Sequence, residues 1–474
     1  MQRLKKIGKI TAKSSLQVKN SKIGIGFEKL DRDLFDPEKA YDKVAQLGVK
    51  WVRIQSGWAK TEKEKGKYDF VWLDKIVDNL IKRGLKPWIC LCYGNGIYDE
   101  NAAKIFGSVG VPPIFTAEQK EAWRNYVKAL VTRYKDKVTH YEVWNEPDGD
   151  WCWKHGVNAR ELGLFTADTG KAIHEVFPQA EVIGLVQCLP DVQYIEEAFD
   201  GTGMAENINA VSFHEYNVFE NYVPERVSAL RAVTSVFKKD LKIIQGESGS
   251  QSRADGRGAL HDKLWSEKAQ VKQLTRHTLT DLMCGVEFTS YFSCMDMVEA
   301  LNGSVDNKSS YLDYGYFGVL RADFDENGIA IGTYSQKPAY YALQTLCSVF
   351  ADDCEYKSDM PVIFKPGYYN AYCQTDCGRH DLTFGFFERE NGGQCLVYWK
   401  PENILTTDFT GCTSLQIFTK HGGLKLVDLC NGDVYELNDD MIEIQGKCML
   451  LKHIPVKDTP LAIVTDGFCD WERI

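Results

Sequence analysis

The most constraining feature of this chain is an alternation. Short apolar runs with strand character recur between segments of helical spacing, eight times over about 330 residues. The strands are read at Ile23–Phe27, Trp51–Gln55, Pro87–Tyr93, Thr139–Trp144, Val182–Val186, Ala210–Tyr216, Leu241–Glu247 and Val286–Phe292. Helices are expected at Pro37–Leu47, Val71–Lys82, Ala117–Tyr134, Arg160–Val176, Pro224–Phe237, Leu264–Met283 and from Lys337 to about Phe350. Gly48 and Gly84 stand just past two of them, where a helix C-terminus wants a left-handed residue. Eight β/α repeats with nearly continuous apolar strands predict an eight-stranded α/β (TIM) barrel, whose strands are covered on both faces. A dinucleotide-binding sheet is excluded because Gly24-Ile-Gly26 lacks the third glycine of that fingerprint.

After residue 350 the helical spacing stops. Leu396-Val-Tyr-Trp399, Leu424-Lys-Leu-Val427 and Leu461-Ala-Ile-Val464 recur between turn signals, and Asn431-Gly432 separates two apolar runs as a hairpin turn does. The expected organisation is an N-terminal segment 1–20 that offers a strand to the C-terminal module, a catalytic barrel at 21–350, and an all-β sandwich at 351–474.

The net charge of −10 argues against nucleic acid and against an anionic membrane as partners, since both reward clustered Lys and Arg. Arg3, Lys5, Lys6 and Lys9 are not followed by an apolar run, so no signal peptide is expected, and no stretch is long enough for a membrane span. The fifteen cysteines (Cys90, Cys92, Cys188, Cys284 and Cys347 among them) sit mostly in apolar segments without metal-type spacing. They are read as reduced thiols of a cytoplasmic protein. Self-association is left open.

Chemistry concentrates at two strand ends. In Thr139-His-Tyr-Glu-Val-Trp-Asn-Glu-Pro147 the strand stops at Pro147, so Asn145 and Glu146 fall where the fourth strand runs into a loop. Ile243-Ile-Gln-Gly-Glu-Ser-Gly249 puts Glu247 at the matching place on the seventh strand. Barrel active sites are built at that end. One Glu there would be unremarkable as a solvated strand terminus or half of a salt bridge. Two facing each other could flank a glycosidic bond at about 5–5.5 Å, the separation of a retaining double displacement.

Trp144-Asn-Glu-Pro147 with Gln245-Gly-Glu-Ser-Gly249, Phe213-His-Glu-Tyr216 on the sixth strand and the late Lys337-Pro-Ala-Tyr340 together resemble a clan A glycoside hydrolase. Family 39 (β-xylosidase-like and iduronidase-like enzymes with a C-terminal β-sandwich) is the nearest pattern. The resemblance implies that Glu146 is the general acid/base and Glu247 the nucleophile. It implies that Arg53 of the second strand sits beside that nucleophile and that no cofactor or metal is needed. Tyr216 is then placed to donate to Glu247, and Asn145 to hold the sugar 2-hydroxyl. His214, two residues before Tyr216, would line the mouth on the same strand face. Trp58, Tyr93, Trp151 and Trp153 are candidate walls for the carbohydrate, whose C–H faces stack on aromatic rings. The clan's usual strand-eight Trp is missing. Tyr291-Phe292-Ser293-Cys294 stands there, with Tyr291 or Phe292 as the replacement.

Two other motifs fail on inspection. Asp323-Phe-Asp-Glu-Asn-Gly328 begins like a calcium loop but has Tyr334 at the closing position, and Gly246-Glu-Ser-Gly-Ser250 lacks the last glycine of a nucleophile elbow. The expectation is a retaining, exo-acting β-glycosidase. An endo-acting hydrolase or transglycosidase on the same carboxylates is the alternative, and a non-catalytic carbohydrate-binding barrel the competing class.

Overall fold

The computed structural model describes residues 4–365, 382–419 and 422–474. Eight parallel strands close into a barrel: Ile23–Gly26, Trp51–Gln55, Lys86–Leu91, His140–Val143, Glu181–Gln187, Ala210–His214, Lys242–Ser248 and Thr289–Tyr291, here called barrel strands one to eight. Closure is made by strand one against strand eight, with Ile23 opposite Thr289 and Ile25 opposite Tyr291. The helix Ala117–Tyr134 opens on a capping box in which Thr116 and Gln119 satisfy each other's backbone N–H. Asn158 and Ser266 cap the helices Ala159–Val176 and Glu267–Met283 from one side only, each side chain accepting a backbone N–H of the first turn.

Strand eight is shorter than its apolar run, and the stretch after it is not a plain loop. It carries two hairpins, Met297–Val298 with Tyr314–Gly315 and Leu320–Phe324 with Ala330–Gln336. The calcium-like sequence forms the turn of the second: Asp325 accepts from the backbone N–H of Asn327 and Ile329.

The C-terminal part is two packed antiparallel sheets. The larger has eight strands, ordered Glu355–Lys357, Thr383–Glu388, Gln394–Trp399, Leu461–Val464, Lys425–Asp428, Asp433–Glu436, Lys6–Ile10 and Trp471–Arg473. The N-terminal strand Lys6–Ile10 is therefore interior, paired with Asp433–Glu436 on one side and Trp471–Arg473 on the other. Alternate residues of this sheet face different cores. Phe386, Leu396 and Tyr398 pack on Leu415, Ile417 and Leu451 of the smaller sheet. Phe387, Cys395, Val397 and Trp399 join the core of the barrel. Cys395–Trp399 is apolar without interruption because both its faces are buried.

The two modules are also joined beside the barrel mouth. Arg276 forms a two-pronged ion pair with Glu220, whose Oε1 accepts from the Trp399 indole at 2.8 Å. Ile404 and Leu405 pack on Val218, Phe219 and Trp265. The loop after barrel strand six is thus held from the sandwich side.

Candidate active site

Barrel strand four ends in a backbone that only a few residues tolerate. Trp144 and Glu146 have φ of 68° and 43°, and Pro147 keeps Glu146 out of the right-handed helical region. Three bonds hold the turn: the Trp144 N–H to Leu91 O, its indole to Cys152 O at 2.8 Å, and Cys90 Sγ to Trp144 O. Glu146 is presented across the mouth from Glu247 of strand seven, and both are less than a tenth exposed. One carboxylate oxygen of each, with His214 Nδ1, lies within 4.8 Å of the others.

The two acids keep different company. Glu247 accepts from Arg53 Nη1 at 2.8 Å and from the Tyr216 hydroxyl. Glu146 accepts from the Trp151 indole at 2.6 Å and shares a 2.8 Å bond with His214 Nδ1. Burial raises both carboxyls. Glu247 is pushed up to about 7, with Glu28 and Glu146 adding to burial while His214 and Arg53 oppose. Glu146 is raised by burial against the Trp151 hydrogen bond and the charges of Arg53, Arg226 and Lys29. Two carboxyls so close in a dry site titrate as a pair. A guanidinium favours the anion on Glu247, so the shared proton belongs on Glu146. Burial lowers His214, leaving it neutral, and raises the Tyr216 phenol, which stays a donor.

Arg53 is fully buried beneath the acids, so it does not reach a substrate. It bonds Glu247, Glu28 at 3.2 Å, Asn145 Oδ1 at 2.8 Å and, through Nε at 3.0 Å, Glu142. Burial works against its charge, but Glu142 and Glu28 overcome that and raise it well above the ordinary value. Glu142 also accepts from the Trp88 indole at 3.1 Å. Glu28 and Glu142 belong to the site although no motif marks them. Their signal is a charged residue in or ending an apolar strand, which a barrel wall tolerates only with a partner.

Several wall candidates lie elsewhere. His214 is wholly buried and acts on Glu146 rather than lining the opening. Trp58 is core: it stacks on Tyr98 and Tyr126, and its indole donates to Glu62 at 2.6 Å. Trp153 is fully buried against Trp144 and Phe165. Tyr93, 2% exposed, stands behind the mouth with its hydroxyl 3.7 Å from Cys152 Sγ and its edge on Trp144. Tyr291 points into the layer between barrel and helix, where its hydroxyl donates to Phe317 O and accepts from Gln270. Trp151 does reach the site. So does Phe292, whose ring packs on Tyr216 and Phe317 and takes the strand-eight position at the mouth.

Among the described residues, Glu146, His214 and Glu247 form the group whose spacing could chelate a cation. The guanidinium already 2.8 Å from Glu247 disfavours one there.

Residues 27–98 match the family 42 glycoside hydrolases, described as β-galactosidase. The chain folds like a family 39 glycoside hydrolase of Bacteroides cellulosilyticus, with a TM-score of 0.63, 17% identity and coverage of 94% of this chain and 81% of that one. It folds similarly to a β-xylosidase of Caulobacter crescentus, with a TM-score of 0.60, 16% identity and coverage of 96% and 97%. The fold is shared with these glycoside hydrolases over nearly the whole chain. Curated relatives align over shorter spans. A β-galactosidase of Clostridium cellulovorans is 26% identical over 28% of this chain and 22% of its own length. A β-xylosidase of Geobacillus stearothermophilus is 25% identical over 26% and 25%. These matched spans take in about a quarter or less of the relatives. No helix among the described residues is long and apolar enough to cross a membrane.

Proposed function

We propose that this chain is a clan A glycoside hydrolase, a retaining, exo-acting β-glycosidase working by double displacement. The observation that carries the reading is the opposed pair: two glutamates with oxygens within 4.8 Å, one beside a guanidinium and one bonded to neutral donors. Their separation is close to the roughly 5–5.5 Å of retaining enzymes and leaves no room for a water between them, as inversion requires. Glu247 attacks the anomeric carbon while Glu146 gives its proton to the departing oxygen. Once the glycosyl ester forms, the charge of Glu247 is gone, and Glu146 falls in pKa and takes a proton from the incoming water. The Asn145 side chain, fixed by Arg53, is available to the 2-hydroxyl, a contact that strengthens in the oxocarbenium-like transition state. Exo action is supported by the low exposure of both acids, which fits a pocket better than an open groove.

The test is hydrolysis of a panel of aryl β- and α-glycosides, with the product anomer followed by NMR in the first minutes. Turnover of a β-glycoside with β-sugar appearing first is expected. An α-anomer appearing first overturns retention, and cleavage only within longer oligosaccharides overturns exo action.

A further inference from the structure

Beside the acids, the loop after barrel strand one and the first hairpin after strand eight bring together Lys29 and Glu299. Lys29 is 4% exposed, yet its ammonium is not buried in a tight salt bridge. It donates to Val298 O at 3.0 Å and lies 3.6 Å from Glu299, beyond good hydrogen-bond length. It also lies 5.1 Å from the centroid of Phe292, the ring at the strand-eight position, which puts it over the floor of the opening. The fold makes room for this pair. A Cβ on Gly315 would sit 2.1 Å from Glu299 Oε1, and one on Gly258, which has φ +86°, would sit 2.6 Å from its Cγ. Lysine carries three protons and a carboxylate about four acceptor sites, so both groups keep capacity for a ligand. Burying an ion pair this loosely is expensive unless something else completes it.

Resting on the glycosidase reading, we propose that Lys29 and Glu299 are the specificity pair for the glycone: they bind two neighbouring hydroxyls on the sugar edge remote from the scissile bond, and the sugar they admit is uncharged. One hydroxyl accepts from Lys29 and the next donates to Glu299. The exclusion of charge follows from the surroundings. Glu28, Glu142, Glu146, Glu247 and Glu299 gather at this end of the barrel against Arg53 and Lys29, while Arg32 and Arg226, which also act on these carboxylates, are each paired with a further acid, Asp31 and Glu215. With one proton on the catalytic pair, the site keeps an excess of negative charge. A uronate carboxylate or a sugar phosphate would meet Glu299 and Glu28 in a low-dielectric setting.

The experiment compares wild type, Glu299→Gln and Lys29→Met. It uses neutral aryl β-glycosides, their monodeoxy analogues at each remote hydroxyl, and the glucuronide and 6-phosphoglucoside. Binding of the matching free sugars is measured in parallel by NMR on the Glu247→Ala background. Glu299→Gln is expected to lose roughly a hundredfold or more in kcat/KM on the parent glycoside, because its hydrogen-bonding site is left mismatched. On the analogue lacking the hydroxyl that Glu299 reads, the loss should nearly vanish. Equal losses on the parent and every deoxy analogue would mean a structural role and overturn the pairing. Wild-type cleavage of the glucuronide or phosphoglucoside at rates matching neutral sugars would overturn the charge selection. If no glycoside is turned over but binding still depends on one remote hydroxyl and on Glu299, the hydrolase reading fails and the specificity pair stands. Loss of neutral-sugar binding altogether in the parent overturns the pair.

Discussion

The same eight strands have opposite characters at their two ends. Toward the strand beginnings the barrel is plugged by Trp51, Trp88, Ile183, Ala210, Ile244 and Phe288, with Trp51 stacked on Phe288 at 4.5 Å between ring centres. At the other end the interior holds Glu28, Arg53, Glu142, Asn145, His214 and Glu247, all buried. The bottom is ordinary close packing and does nothing else. The mouth carries buried charge at a cost in stability, and the proposed chemistry gives that cost a use. Arg53 is the joint between the two, one layer above Trp88 through their shared partner Glu142.

Paired truncations test this contrast most severely. Glu247→Ala is expected to lower kcat by roughly 10⁵-fold while thermal stability holds or rises, since a buried acid is removed. Phe288→Ala should do the reverse, losing about 3–5 kcal/mol of stability with kcat/KM unchanged below the transition. Both are read by aryl-glycoside kinetics alongside calorimetry, and similar effects on both properties in both variants would dissolve the contrast. Arg53→Met should fail on both counts. Stranding Glu142 and Glu28 costs about 3–5 kcal/mol, and Glu247 loses the cation that favours its anion.

Glu146→Ala sharpens the comparison within the mouth. Glycosides with poor leaving groups should slow by about 10²–10⁴-fold, and activated aryl glycosides far less. Equal slowing of both would remove Glu146 from the acid role. The pH profile follows from burial. Because Glu247 is pushed up to about 7, it takes a proton as the pH falls through that value and can no longer attack. The acid limb of kcat/KM should therefore lie near neutrality, well above an ordinary carboxylate.

A smaller effect lies outside the mouth. Asp281 accepts from Thr289 at 2.6 Å, has its other oxygen buried without a partner, and is pushed up to about 8 by burial. Its folded-state value lies above its unfolded one. Its contribution is therefore complete in acid and is lost as the pH rises toward 8. Asp281→Asn should add about 1–3 kcal/mol at pH 8 and little at pH 4, as measured by denaturant titration.

Sequence carried the barrel because each strand is an apolar run and each helix has its own start and stop signals. It marked Glu146 and Glu247 because an abrupt strand end at Pro147 and a Gly/Ser loop at 248–250 are local features. It did not mark Glu28 or Glu142, whose meaning depends on Arg53 arriving from another strand. Trp58 and Trp153 show the opposite failure. An aromatic on a loop looks available for a ligand until Tyr98, Tyr126 or Phe165 covers it, and those neighbours come from distant helices and turns. Lys29 and Glu299 are 270 residues apart and meet only once the barrel closes.

The strand Lys6–Ile10 lies inside the larger C-terminal sheet, next to the last strand of the chain. The C-terminal module is thus not a contiguous piece of sequence. Expressed from residue 351 onward it would carry a gap between two strands, each showing an open row of backbone donors and acceptors. During synthesis the first strand waits unpaired until Asp433–Glu436, more than 420 residues later, has been made. A cut between barrel and sandwich therefore needs a permuted chain, with residues 4–20 moved behind residue 474 on a linker, rather than a stop codon.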